Sequence, residues 1–273
     1  MPRKFLRFGA LLGVCGVLVA CVSANTTPTV AQPHVSETPH VADSKENKAE
    51  DAARVRVELG RRYMQQGKLD IAMENLQKAL QYDPNFVDAH TVIAVLYERI
   101  GNVALAEQHY ARAAELAPKS GDACNNYGQF LCSEGKYAQA QTYFTRAMQD
   151  PFYKTPEVVY TNAGSCLVKQ GGNLDEAAGY FRKALEASPN NPDALYQMAN
   201  VLYQKDDYFH ARAFIQRFEA AAKPDPAALL LARNIEVKLG HADSANDYAR
   251  RLRQDFPDSE QAHDLDTAAP GAQ

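Results

Sequence analysis

The chain has 273 residues, of which 46% are hydrophobic and 23% charged, and its formal net charge at pH 7 is −4. This is an ordinary globular composition, with enough length for one or two domains. Three cationic side chains lie in a leader that we expect to be removed, which would leave a net charge of about −7. A body this acidic is poorly suited to hold nucleic acid phosphates, and the acidity itself indicates no more than solubility.

The first 20 residues have the pattern of a secretory leader. Arg3, Lys4 and Arg7 precede an apolar, uncharged run over 8–20. This run is shorter than the roughly 20 residues that span a bilayer, and it fits the hydrophobic region of a signal peptide. It ends in Leu-Val-Ala followed by Cys21, which resembles the lipobox of bacterial lipoproteins. That resemblance implies a signal peptide over 1–20 and a Cys21 that carries diacylglycerol and palmitate. A conventional signal peptide with a chance cysteine is the alternative.

Residues 21–51 are predicted to be a flexible tether behind the acylated cysteine. After Cys21 the segment is rich in Ser, Thr, Pro, Ala and charged residues and contains no aromatic side chain. It cannot bury enough apolar area to offset the entropy of ordering, so we expect it to be disordered and to reach roughly 30 Å on average. In lipoproteins an Asp after the acylated Cys indicates retention in the inner membrane. Val22 therefore suggests a lipid anchor in the outer membrane, on its periplasmic face.

From Ala53 onward the sequence repeats with a period of about 34 residues. Each unit carries a large residue and then Gly or Ala at positions 7 and 8, a large residue at 11, Ala at 20, a large residue at 24 and Pro near 32, which is the tetratricopeptide (TPR) pattern. The units are 53–86, 87–120, 121–154, 157–191, 192–225 and 226–259, and we expect a flexible tail over 260–273. The sequence therefore predicts an all-α superhelical solenoid of about six antiparallel helix pairs.

The repeated residue types are explained by helix packing. Small residues at position 8, such as Gly60 and Gly128, should let the two helices of a hairpin cross closely. Gly67, Gly101 and Gly135 at position 15 should end the first helix in a left-handed conformation. A single hairpin cannot bury its own apolar face, so stability should accumulate by stacking neighbours.

Three cysteines remain in the predicted body, Cys124, Cys132 and Cys166, in an oxidising compartment where disulfides persist. Three thiols permit three different single bridges. Cys132 occupies position 12 of the first helix in the third repeat, and Cys166 occupies position 10 of the first helix in the fourth, which faces the preceding helix. These two can therefore meet, whereas three buried free thiols are the alternative.

The first helices of the repeats should line a concave surface, with positions 2, 5, 9, 12 and 13 pointing into it. One end combines cationic and apolar side chains: Arg54, Val57, Arg61, Met64, Val95 and Arg99. The other end is aromatic and polar: Tyr196, Asn200 and Tyr203. Tyr and Arg are favoured interface anchors, so we interpret both ends as candidate protein-binding sites. At any single position an ordinary hydrated surface is the alternative.

The sequence contains no motif that indicates an enzyme. A phosphate-binding glycine loop, an HExxH pair and a nucleophile elbow are all missing. The histidines are expected to fall on different repeats without a common face: His90, His109, His210, His241 and His263. We therefore expect no catalysis, no cofactor or metal and no small-molecule substrate, and a protein as the partner.

Three segments resemble the PilW/PilF family of type IV pilus biogenesis lipoproteins: Asn-Asn-Tyr-Gly-Gln-Phe-Leu-Cys over 125–132, Asp-Pro-Phe-Tyr-Lys-Thr-Pro over 150–156 and Asn-Ala-Gly-Ser-Cys over 162–166. The resemblance covers the whole mature chain and implies an outer-membrane pilotin that helps the pilus secretin reach the membrane and multimerise. It also implies that Cys132 and Cys166 form the family's disulfide. Another outer-membrane TPR scaffold, serving β-barrel insertion or cell-wall hydrolases, is the competing interpretation. We expect the first repeats to contribute most to docking.

Overall fold

The computed structural model describes residues 45–267. The predicted signal peptide, Cys21 and most of the predicted tether lie outside this range. The described residues form helices throughout: α1 (Lys45–Gln65), α2 (Leu69–Tyr82), α3 (Val87–Arg99), α4 (Val103–Leu116), α5 (Gly121–Ser133), α6 (Tyr137–Met148), α7 (Pro156–Lys169), α8 (Leu174–Ala187), α9 (Pro192–Gln204), α10 (Tyr208–Ala221), α11 (Pro226–Lys238), α12 (Ala242–Asp255) and α13 (Glu260–Thr267).

The first twelve helices pair in chain order, α1 with α2 through to α11 with α12, and each pair packs against the next. This confirms the predicted TPR solenoid of six helix pairs. The backbone of each odd-numbered helix lies close to that of the odd-numbered helix in the next repeat. The backbones of the even-numbered helices α2 to α12 stay farther apart, and these helices meet only through long side chains, as where Tyr248 and Arg251 of α12 donate to Glu219 of α10. The odd-numbered helices therefore lie closer together and line the inner, concave face of the stack.

Local sequence signals set the helix boundaries. Side chains accept a hydrogen bond from the first turn at seven helix starts: Asn102, Ser120, Asn173, Asn191, Asp207, Asp225 and Ser259. The turns inside the pairs use a left-handed residue, as predicted for Gly67, Gly101 and Gly135, with φ between 73° and 76°. In the fifth repeat the same position is Asp206, with φ of 59°. Asp tolerates this conformation better than most residues because its short side chain bonds locally.

Both ends of the stack extend further than the sequence predicted. Helix α1 begins at Lys45, so the expectation of a disordered tether was wrong for 45–51. The flexible tail was wrong for 260–267, because Ala262 and Leu265 of α13 are buried against Leu229 and Leu252. This last helix covers the apolar face that the sixth repeat would otherwise expose, as terminal repeats of solenoids require. Within residues 45–267 no helix is both long and apolar enough to span a membrane.

Candidate protein-binding groove

The concave face carries a cavity of about 400 Å³ where α1, α3 and α5 lie side by side. It is lined by Arg61, Met64, Gln65, Thr91, Val92, Val95, Arg99 and Asn126. The floor is apolar and the rim is polar and cationic, which is the usual composition of a protein-binding surface. The structure therefore brings together four of the six residues predicted for this end: Arg61, Met64, Val95 and Arg99.

Two cations of this groove are positioned by neighbouring repeats. The Arg99 guanidinium donates a hydrogen bond of 2.9 Å to the carbonyl oxygen of Met64, so it closes the last turn of α1. Arg61 forms two loose ion pairs, one of 3.9 Å with the carboxylate of Asp88 on α3 and one of 3.6 Å with Glu58 of its own helix, and all three side chains are solvent-exposed. Because exposed pairs of this kind contribute little to stability, Arg61 is available to an incoming carboxylate.

The predictions for Val57 and Arg54 as groove residues need correction. Val57 is only 1% exposed and packs with Leu76 and Ile93 in the core of the first two repeats. Arg54 is paired with Glu50 and Asp51 of its own helix and does not line the cavity. Position 5 of the first repeat is thus buried among residues of α2 and α3 rather than open on the concave surface.

Met64 also belongs to the core more than to the surface, since it is 7% exposed and packs in the same cluster as Val57. Its exposed remainder forms part of the cavity floor. Val95, in contrast, is 40% exposed and presents its side chain to solvent. Val95 is therefore the apolar residue of this set that a partner can cover.

Sequence reasoning missed Val92 and Asn126, which occupy position 6 of the second and third repeats and line the groove. The signal was available, because the two residues stand at the same place in consecutive repeats. Position 6 was left out of the expected concave set, and only the superhelical twist of the actual stack shows that it borders the cavity.

The opposite end of the concave face does not form one aromatic groove. Tyr196 lines a shallow cavity of about 220 Å³ beside Asp193 and Asp225, and its ring packs on Phe218 at 5.9 Å between centroids. Burial raises the pKa of the Tyr196 hydroxyl. Tyr203 packs instead on Tyr208, and neither Tyr203 nor Asn200 lines the Tyr196 cavity. The end predicted as aromatic is thus acidic around Tyr196, whereas the first end is cationic.

A disulfide joins Cys132 of α5 to Cys166 of α7, with their Cα atoms 5.8 Å apart. It connects two consecutive concave-face helices just beyond the groove. Cys124 is a buried free thiol whose sulfur donates to the carbonyl oxygen of Pro118, and burial raises its pKa. A buried, protonated thiol of this kind is unreactive and serves as a core residue.

One expectation about the histidines was wrong. His90 and His109 belong to the same repeat, and their Nδ1 atoms lie 3.0 Å apart between α3 and α4. His90 Nε2 lies 3.1 Å from the carbonyl oxygen of Pro84. A carbonyl only accepts, so Nε2 donates and the Nδ1 of His90 accepts from His109. Burial lowers the pKa of both imidazoles, so both are held neutral. Among the described residues no group of three or more His, Cys, Asp or Glu side chains could hold a metal ion.

The chain is similar to known tetratricopeptide repeat proteins. Models of the tetratricopeptide repeat match residues 60–101, 87–120, 131–192 and 169–235. The type IV pilus assembly protein PilF of Pseudomonas aeruginosa is 31% identical over 218 residues, which are 79% of this chain and 85% of that protein. A solved structure of Pseudomonas aeruginosa PilF aligns with a TM-score of 0.73 at 28% identity, covering 81% of this chain and 99% of PilF. The crystal structure of PilW, a widely conserved type IV pilus biogenesis factor, also aligns with a TM-score of 0.73 at 28% identity, covering 78% of this chain and 97% of PilW.

Proposed function

Since this chain belongs to the PilF and PilW family of type IV pilus biogenesis TPR proteins, we propose that it is a pilotin: it binds the pilus secretin through the groove of its first three repeats and promotes secretin multimerisation in the outer membrane. TPR solenoids present extended concave surfaces to other proteins, and this role requires no catalytic group. The partner is a protein, and neither nucleic acid nor a small-molecule substrate takes part.

The observation that carries the proposal is the cavity between α1, α3 and α5. Val95 and the exposed part of Met64 offer apolar contact at its floor, while Arg61 and Arg99 offer charge-assisted hydrogen bonds at its rim. Apolar anchors at the centre supply most of the affinity of an interface, and charges at the rim set orientation and the rate of association. A secretin segment with an apolar residue beside a carboxylate would fit both parts.

Anchoring through Cys21 completes the proposed role. Acyl chains on Cys21 would hold the protein at the periplasmic face of the outer membrane, where secretin subunits must arrive. The residues before Lys45 would then connect the anchor to α1, which is the first wall of the groove. This arrangement places the binding site near the membrane end of the chain.

The groove is tested by Val95→Asp, compared with Val55→Asp as a matched control. Val55 is also exposed and on a helix of the first repeats, but it does not line the cavity. Neither change should alter the melting temperature, because both side chains face solvent. We expect Val95→Asp to abolish heat-resistant secretin multimers in outer-membrane fractions and to weaken secretin binding by about tenfold or more, with Val55→Asp close to wild type. Normal multimers in a folded Val95→Asp strain would show that the groove is not the secretin site.

A further inference from the structure

The loop between α6 and α7 differs from the other loops that connect consecutive repeats. It runs over 149–155, whereas the corresponding loops run over 83–86, 117–120, 188–191 and 222–225. The extra length carries Phe152, whose side chain is 86% exposed, the largest value for a large hydrophobic residue in the described part of the chain. A single exposed apolar side chain is ordinary in a folded protein, so Phe152 points to a binding surface only together with the fixed loop that carries it and the cavity beside it.

This loop is fixed rather than loose. One carboxylate oxygen of Asp150 accepts a 2.8 Å hydrogen bond from the backbone N–H of Gly121, and the other accepts a 2.9 Å bond from the N–H of Phe152. Next to Phe152, Tyr153 points inward and packs so closely that a Cβ on Gly121 would lie 2.5 Å from its ring. The backbone that carries Phe152 is therefore held in place, which lowers the loop entropy that a partner would have to remove on binding.

A cavity of about 530 Å³ lies beside Phe152. Its walls are apolar, formed by the rings of Pro118, Pro151 and Phe152, and its rim carries Lys119 and Arg146. The Arg146 guanidinium is oriented by a 3.0 Å hydrogen bond to the carbonyl oxygen of Pro118 and lies over the Tyr143 ring.

The rim of this cavity is cationic. Lys119 is exposed and forms no ion pair within residues 48–265. Asp150 also borders the cavity, but both oxygens of its carboxylate already accept backbone N–H groups. Asp150 keeps its negative charge, so the two cations, Lys119 and Arg146, against one carboxylate leave the lining with a net charge of +1.

We propose that the 149–155 loop and the adjoining 117–119 turn form a second docking surface, for an acidic protein segment that carries one large apolar side chain. The apolar side chain enters the cavity beside Phe152, and carboxylates of the segment pair with Lys119 and Arg146. An anionic membrane would match the charges, but a flat bilayer surface would leave the cavity unfilled. The surface shares no lining residue with the groove of α1, α3 and α5, so it is independent of the proposed secretin site.

The test places a photo-crosslinking amino acid, p-benzoylphenylalanine, at position 152 of the full-length protein in its own cells, with position 209 as the control. Phe209 is also strongly exposed, at 71%, but it borders none of the cavities described above. We expect a protein adduct from position 152 and none from 209, with the crosslinked segment containing a large apolar residue flanked by Asp or Glu. Adducts with lipid alone, with a segment that lacks acidic residues, or with nothing would each overturn the proposal.

A synthetic peptide of the crosslinked segment then provides the binding measurement on purified protein. Phe152→Ala and Lys119→Glu should each weaken its binding by about tenfold or more, while Phe209→Ala leaves it within about twofold. Melting temperatures should not change, since all three side chains are exposed. Equal binding to wild type and Phe152→Ala would overturn the proposal. Failure of the Val95→Asp experiment would leave this result unaffected, because the two sites are tested by different substitutions.

Discussion

A Cβ atom on Gly128 would lie 2.8 Å from Cδ1 of Phe144, closer than such atoms approach in folded proteins. Gly128 is at position 8 of α5 and Phe144 at position 24, on α6, so this contact is the crossing point of the third helix pair. The same contact recurs between Gly60 and Leu76 at 2.7 Å. The spacing of the helices within a repeat is therefore set by a glycine pressed against a large side chain.

Gly128→Val should destabilise the protein by about 3 kcal/mol or more, because its methyl groups would collide with Phe144 and with the nearby carbonyl oxygen of Ala140. Urea unfolding monitored by circular dichroism measures the loss. Gly179→Ala is the control: its new Cβ would meet only the end of Arg182, at 3.9 Å, inside helix α8. That change should stabilise by about 0.5–1 kcal/mol. Equal effects of the two substitutions would contradict the crossing-point argument.

The disulfide between Cys132 and Cys166 closes a loop with a sequence separation of 34 residues. Loop-closure entropy predicts that Cys132→Ser with Cys166→Ser lowers the free energy of unfolding by about 3–4 kcal/mol. Reduction of the wild-type protein should lower its free energy of unfolding to a similar extent. The Cys124→Ala variant should remain as sensitive to reductant as the wild type. Peptide mapping without reduction gives the pairing directly, and a bridge that contains Cys124 would contradict it.

Cys21→Ser should convert the protein from a membrane-bound to a soluble periplasmic form, because the variant would lack the acyl chains that we propose as its anchor. Fractionation of the envelope followed by immunoblotting measures the distribution. Ser23→Ala, a change beside the same position that keeps the cysteine, is the control and should stay with the outer membrane. A Cys21→Ser protein that still fractionates with the outer membrane would exclude this cysteine as the anchor.

The fold followed from sequence because the signals for it are local and repeated. Gly67 and Gly135 form the same turn two repeats apart. Where one repeat is ambiguous at a position, the residues at the equivalent position of the other repeats still indicate the structure. Both ends of the stack were less predictable, since they lack equivalents. The α13 helix depends on burial against the sixth repeat, which periodicity does not reveal, and α1 begins at Lys45, before the first position of the repeat pattern.

The candidate site was predicted less accurately than the fold. Repeat positions specify which way a side chain points within a hairpin, but exposure depends on the next repeat as well. Val57 is covered by residues of α2 and α3, whereas Val95, on the following repeat, remains open to solvent. Phe152 was not predicted as a binding residue for another reason. It lies in the loop where the repeat pattern is interrupted, so the pattern assigns it no role.

The contact between His90 and His109 should make the second repeat sensitive to acid. Burial lowers the pKa of both imidazoles below the ordinary value of 6.5; nearby Arg112 lowers that of His90 further, and Asp83 partly opposes it. Well above pH 6.5 both histidines are neutral whether the chain is folded or unfolded, so they add no pH dependence there. As the pH falls below 6.5 the unfolded chain takes up protons that the folded one does not, and stability decreases until the lowered pKa values are passed.

Urea unfolding from pH 7.5 to 5 should show this loss. His90→Asn with His109→Phe should reduce the slope, and His263→Asn, at an exposed position, should keep it. An unchanged slope in the double variant would assign the acid sensitivity to other groups.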